Sequence, residues 1–263
     1  MSSHNVAAMT NISTRLPALT TEVHGTGPGI VLAHGGGGRI ESNFGSLLPL
    51  LAEGHTVTAS SYPADDTVLD LDSLADALVA EAATERFTII GFSLGTAVAV
   101  RAAARHPERV RGLVLAAGIA RADNRTRLAL DLWRALLASG DRDAFARFVV
   151  GSAFSPEFVN GLTEADLAAT VDMIAANIPG GTAAQAALIA TVDTTADLPG
   201  VAVPTLVVGA SEDLLVDPAN HRFLAEHITG AEYAEVKAGH VFMAEQPDAW
   251  HSLVLDFLER HGL

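Results

Sequence analysis

Cysteine is absent from the 263-residue chain. Disulfides, thiol catalysis and cysteine-ligated metal sites are therefore excluded, while a cysteine-free chain tolerates either redox state. Positive charge is scarce. Sixteen Lys and Arg residues stand against 31 Asp and Glu, a formal net charge of −15 at pH 7. That balance argues against a polyanionic partner such as nucleic acid and against an anionic membrane surface. No run is long and apolar enough to span a bilayer. The first twenty residues are rich in Ser, Thr and Asn and lack the charged start and apolar centre of a signal peptide. The expected location is cytoplasmic. Internal repeats and low-complexity tracts are also missing.

What the chain does have is apolar mass. Hydrophobic residues make up 49% of it, enough for a sizeable core. The length suits one large α/β domain, or one such domain with an insertion. Residues 1–19 read as a loose leader. From residue 20 to 117, short β-branched runs alternate with helical spacing. Strands are expected at 20–24, 30–33, 55–59, 87–90 and 110–117, and helices at 42–53, 69–83 and 94–105. Such alternation implies right-handed βαβ units and a mostly parallel sheet. The pattern then stops. Between about 119 and 195 only helices are expected, over 125–138, 141–150, 163–177 and 182–192. Thr163 with Asp166 comes close to a capping box, and Thr182 with Gln185 fits one. This stretch reads as an all-helical cap over the sheet edge. The α/β pattern resumes with strands at 204–209 and 231–236 and helices at 220–227 and 248–261. The expected division is a core of 20–118 and 196–263 with a cap of 119–195.

The stretch with most chemical content is Gly91-Phe92-Ser93-Leu94-Gly95. It is G-x-S-x-G between a strand and a helix, the context a nucleophile elbow requires. The flanking glycines allow strand and helix to approach closely, and the helix N-terminus directs partial positive charge at the turn. A second glycine-rich turn, His34-Gly35-Gly36-Gly37-Gly38, follows the strand at 30–33. Read functionally, its backbone N–H groups bind a developing negative charge; read plainly, it is a flexible loop. Catalytic loops of parallel sheets lie beyond the carboxyl ends of the strands, where His34 and Ser93 both fall. A nucleophilic serine needs a base. His240 follows a strand and a glycine near the chain end. His34 is its rival, with a structural alternative in hydrogen-bonding its own loop. His106, His221, His227 and His251 sit on or beside helices and read as surface. A carboxylate must orient the base, and Asp213 follows the preceding strand with Glu212 and Asp217 beside it.

Together these segments resemble the α/β-hydrolase fold family. The residues that carry the resemblance are Val23-His-Gly-Thr-Gly-Pro-Gly-Ile-Val-Leu-Ala-His-Gly-Gly-Gly, the elbow at 91–95, Val207-Val-Gly-Ala-Ser-Glu-Asp-Leu-Leu-Val, and Ala238-Gly-His240 with Glu245-Gln-Pro247. The order Ser93, Asp213, His240 matches the family's Ser–Asp–His order, and the likeness covers roughly residues 20 to 262. The helical insertion looks like the caps of the esterase, enol-lactonase and cofactor-free haloperoxidase-like branch. One departure is the loop after the third strand. Many members carry Asp-x-Arg-Gly-x-Gly-x-Ser there, where this chain has Ser60-Ser-Tyr-Pro-Ala-Asp-Asp66.

The resemblance implies a mostly parallel central sheet flanked by helices. It also implies a serine hydrolase in which Ser93 attacks an acyl carbonyl, His240 takes its proton and Asp213 holds His240. Asp213 is preferred to Glu212 because Val216 and Pro218 stand where the family pattern has a small or β-branched residue and then proline. The oxyanion is expected to be held by the N–H of Leu94 and by that of Gly36, with Gly37 second. No metal or organic cofactor is implied. The expected partner is a small, partly apolar acyl substrate: a carboxylic ester, lactone or thioester. The alternatives are the same fold doing C–C hydrolysis or a lyase or cyclisation step, and a non-catalytic small-molecule binder. Substrate identity and oligomeric state are not readable from the chain.

Overall fold

The structure is a computed structural model in which residues 16–263 are described; most of the expected 1–19 leader lies outside them. Seven strands form one sheet: β1 (Thr20–His24), β2 (Gly29–Ala33), β3 (Thr56–Ser61), β4 (Phe87–Phe92), β5 (Val110–Ala116), β6 (Thr205–Ala210) and β7 (Glu232–Val236). Their order is β1-β3-β2-β4-β5-β6-β7. Only β1 runs antiparallel, against β3; the other pairings are parallel.

The central strands are apolar throughout because both faces are covered, as parallel sheets demand. Successive side chains go to opposite layers. Ile89 of β4 and Leu113 and Leu115 of β5 join one apolar layer, while Ile90, Phe92, Val114 and Ala116 join the other. The first layer is built on α3 (Leu71–Glu81) and α4 (Leu94–Arg105). The second is built on α1 (Ile40–Phe44), α2 (Leu48–Ala52) and the last helix, whose Trp250, Val254 and Phe257 are fully buried. The single helix expected at 42–53 is thus two short ones, because Gly45 ends the first and Pro49 opens the second.

Between β5 and β6 lie α5 (Asn124–Ser139), α6 (Arg142–Ala153), α7 (Pro156–Gly161), α8 (Glu164–Ala176) and α9 (Thr182–Ile189). None of the seven strands falls in this span; a lone antiparallel bridge joins Arg121 to Asp193. Thr163 caps α8 by accepting the Asp166 N–H. The expected box at Thr182 does not form. Gly181 is the N-cap of α9, Thr182 donates its hydroxyl to the Pro179 carbonyl, and the Gln185 side chain is turned to another partner. Sequence spacing also misses α7, a short helix opened by Ser155 and Pro156. Leu130, Trp133, Phe145 and Ile189 of the inserted helices share the first apolar layer with α3 and α4. The chain closes with α10 (Pro218–His227), α11 (Phe242–Glu245) and α12 (Pro247–His261). Among the described residues no helix is long and apolar enough to cross a membrane.

Candidate active site

The carboxyl ends of β2, β4, β6 and β7 bring the sequence candidates to one edge of the sheet. Ser93 lies between β4 and α4 with φ 52 and ψ −116, a conformation that costs an L-residue energy and persists only where its surroundings impose it. They do so here. A Cβ on Gly95 would overlap the Ala33 carbonyl, and one on Gly91 would overlap the Gly95 carbonyl. The Ser93 N–H is donated to the Ala116 carbonyl at 2.8 Å. Ala117, the other non-glycine residue of positive φ among those described, follows β5 at the same edge. Ser93 also stands at the N-terminus of α4, where the helix dipole favours negative charge.

Three side chains connect in line. Ser93 Oγ is 3.0 Å from His240 Nε2, and His240 Nδ1 is 2.6 Å from Asp213 Oδ2. With Nδ1–H donated to the carboxylate, Nε2 is left to accept from the serine hydroxyl. Asp213 is buried, and its Oδ1 accepts the N–H groups of Leu215 and Val216 at 2.9 and 2.8 Å. Glu212, its neighbour, instead faces Lys237 at 3.8 Å. The His240 ring packs on Phe92, centroids 5.0 Å apart. Its loop is fixed on both sides. The Gly239 N–H goes to Glu245 Oε1 at 3.0 Å and the Val241 N–H to the Ala153 carbonyl at 3.1 Å. Glu245 also accepts from the Ser155 N–H and hydroxyl, at 2.9 and 2.6 Å. The histidine loop and the inserted helices therefore share one carboxylate.

The glycine loop after β2 can be examined amide by amide. Gly35 donates to Asn43 Oδ1 at 2.9 Å, Gly37 to Gln185 Oε1 at 2.8 Å, and Gly38 to the Gly35 carbonyl at 3.2 Å. The Gly36 N–H has no partner among the described residues. The Leu94 N–H, first in α4, has none either, as expected at a helix start. Gly37, the second choice after Gly36 for the loop's donor, has its N–H already given to Gln185 Oε1.

His34, the rival base, has both ring nitrogens on backbone partners. Nδ1 meets the Gly35 carbonyl at 2.8 Å and Nε2 accepts the Tyr62 N–H at 3.0 Å. Burial lowers its pKa to about 4. It holds the glycine loop, and among the described residues no hydrogen bond joins it to Ser93. The surface reading of His221 is overturned: it is 0% exposed, 3.6 Å through Nε2 from Asp213 Oδ2, and burial lowers its pKa to about 4. A signal was available, because His221 and Leu224 are three apart in α10 and share its inward face.

A groove of about 740 Å³ runs past Ser155, Phe158, Val236, Glu245 and Leu253, and none of Ser93, Asp213 or His240 lines it. The candidate site is marked by its hydrogen-bonded residues rather than by that concavity. Among the described residues no group of three or more His, Asp or Glu side chains is arranged to hold a metal.

Comparison with known proteins agrees with this architecture. The profile of a family described as alpha/beta hydrolase fold matches residues 28–247. The pyrrolizixenacetamide deacetylase of Xenorhabdus hominickii is 33% identical over 247 residues, covering 90% of this chain and 92% of that one. The pimeloyl-acyl-carrier protein methyl ester esterase of Neisseria meningitidis is 30% identical over 250 residues, covering 88% and 93%. The enol-lactonase structure from Burkholderia xenovorans superposes with a TM-score of 0.80 at 24% identity, over 92% of this chain and 96% of that one.

Proposed function

We propose, on the premise that this chain belongs to the alpha/beta hydrolase fold family, that it is a serine hydrolase cleaving a carboxylic ester, lactone or thioester through an acyl-enzyme on Ser93. The observation that carries the reading is the continuous line Ser93–His240–Asp213, at 3.0 and 2.6 Å, with the Gly36 and Leu94 amides left without partners among the described residues. Ser93 Oγ attacks the acyl carbonyl and passes its proton to His240 Nε2. Asp213 keeps the imidazole in the required tautomer and stabilises the imidazolium. The Gly36 and Leu94 N–H groups receive the oxyanion. The imidazolium then protonates the leaving group, and a water activated by His240 releases the acid.

In this reading residues 119–195 act as a helical cap on a core of 20–118 and 196–263. Support comes from the contacts of the glycine loop. A Cβ on Gly36 would meet Ile189 Cδ1, and one on Gly37 would lie 3.1 Å from the Trp133 ring. Helices α5 and α9 thus lie against the glycine loop, α9 at Gly36 and α5 at Gly37, and their apolar side chains suit a partly apolar acyl group. The 33% identical deacetylase favours a second reading, in which the bond cleaved is the amide of a small acetylated amine.

The test is a panel of p-nitrophenyl esters, lactones, acyl-thioesters and acetanilides, run beside Ser93→Ala and a fluorophosphonate probe. Labelling at Ser93 alone, with turnover lost in Ser93→Ala, is expected. Labelling that persists in Ser93→Ala removes the mechanism, and turnover confined to the acetanilides selects the amide reading.

A further inference from the structure

Beyond the line of three, a second histidine faces the acid. His221, on α10, is fully buried. The Ala210 N–H, at the end of β6, is donated to its Nδ1 at 3.3 Å. An Nδ1 that accepts carries no proton, so in the neutral ring the hydrogen is on Nε2. Among the described residues that Nε2 has no hydrogen-bond partner. It faces Asp213 Oδ2 at 3.6 Å, the same oxygen that takes the His240 Nδ1–H. The distance is longer than a hydrogen bond, so the contact is one of dipole with charge. The other carboxylate oxygen is already occupied by two backbone N–H groups.

A buried N–H without an acceptor costs folding free energy that an apolar side chain of the same size would not. A leucine or methionine would fill this part of the core but would leave the Ala210 N–H without its acceptor and remove the donor that faces Asp213. Resting on the serine-hydrolase reading above, we infer that His221 is a positioning residue for the triad acid: its Nε2–H is presented to Asp213 Oδ2 and keeps that carboxylate aimed at His240. The charged and titratable groups around it are Asp213 and His240 from their loops, Asp217 and Arg222 at α10, and Glu235 on β7. Burial keeps the ring neutral, with its pKa lowered to about 4, so it adds no positive charge to compete with the imidazolium on His240. Its dipole disperses part of the carboxylate charge. Without it the imidazolium at His240 is favoured more strongly.

The experiment compares His221→Met, which keeps bulk and loses both the acceptor for Ala210 and the donor facing Asp213, with His221→Gln, which offers an acceptor to Ala210 and a donor to Asp213. The kcat/KM pH profile is measured for both on p-nitrophenyl acetate, with thermal melts. In His221→Met the acid limb should move to higher pH by about half a unit and kcat should fall about tenfold, with KM within about twofold. His221→Gln should restore the limb. A limb unmoved in His221→Met, with only the melting temperature lowered, overturns the inference and leaves His221 as packing. Independently of turnover, ¹⁵N-histidine spectra of the wild type should show His221 neutral with its proton on Nε2 from pH 5 to 8. A ring that titrates in that window, or carries its proton on Nδ1, also overturns it. A wild type that neither labels at Ser93 nor cleaves any ester defeats the hydrolase reading, an outcome distinct from an unmoved limb in an active enzyme.

Discussion

Gln185 Oε1 accepts the Gly37 N–H at 2.8 Å, joining α9 to the loop after β2 across 148 positions of sequence. The bond takes one glycine amide out of the loop's donor set; among the described residues the Gly36 and Leu94 amides have no partner. It also holds the loop at φ 69 at Gly37, the left-handed region where glycine is at ease.

Replacing Gln185 by Leu should therefore release the loop while keeping side-chain bulk. The Gly37 N–H loses its acceptor in a part-buried site, a penalty of about 1–3 kcal/mol. We expect kcat to fall about tenfold or more as the Gly36 amide loses its fixed position, with the melting temperature lowered by a few degrees. Wild-type kcat in Gln185→Leu would show that the bond does not position the loop.

Asp213 and Glu212 are adjacent carboxylates with different partners. Asp213 meets His240 at 2.6 Å, and Glu212 meets Lys237 at 3.8 Å. Asp213→Asn admits the wrong His240 tautomer and is expected to reduce kcat by up to ~10⁴, the size known for that change in a serine protease triad. Glu212→Gln removes only a partly exposed ion pair and should stay within about tenfold, roughly 1.4 kcal/mol of barrier. Steady-state kinetics of the two variants decide the matter, and a larger loss in Glu212→Gln would transfer the role.

Glu245 receives the Gly239 N–H together with the Ser155 N–H and hydroxyl. Gly239 has no room for a Cβ, because the backbone at 153–155 lies against it. Glu245→Ala should loosen the inserted helices and the His240 loop together. The expected result is a stability loss of about 2–4 kcal/mol from three unmet donors, with kcat reduced. Urea melts and kinetics on one preparation test this. A kcat that falls with stability unchanged would mean that Glu245 acts on the histidine loop alone.

Stability should depend on pH through His34 and His221. Each has its folded-state pKa lowered by burial from 6.5 to about 4. The unfolded chain therefore takes up the proton first as pH falls. Their contribution is complete above about pH 6.5 and is lost as pH falls toward 4, amounting to about 2 kcal/mol from each by pH 5. Asp76 and Glu232 are lowered from 3.8 and 4.5 to about 2, through Arg105 and Arg260 respectively, so their contribution is lost as pH falls below about 4.5 and changes little between pH 7.5 and pH 5.0. Urea unfolding at pH 7.5 and pH 5.0 should show the decline, and His221→Gln, which does not titrate, should remove about half of it. An equal slope in wild type and variant would exclude His221 as a contributor.

Much of this architecture was legible in the sequence because it depends on local period and local sterics. The runs at 30–33, 87–90 and 204–209 are short and rich in β-branched residues, which reads as strands covered on both faces. Gly91 and Gly95 mark a turn in which only glycine lets Ala33 and the α4 backbone approach. Ser93, Asp213 and His240 were each recognisable because each closely follows a strand, and parallel strands deliver such loops to one edge.

Tertiary structure alone decided the rest, because those contacts join residues far apart in the chain. Gln185 reads locally as part of a capping box, yet its side chain goes to Gly37 because α9 packs over the glycine loop. The choice among four successive glycine amides depends on where Asn43 and Gln185 come to lie. His221 reads as a surface residue until β6 and the Asp213 loop close over it. Local spacing sets which face of an element is apolar, but the partner of a buried polar atom is set by whichever element packs against it.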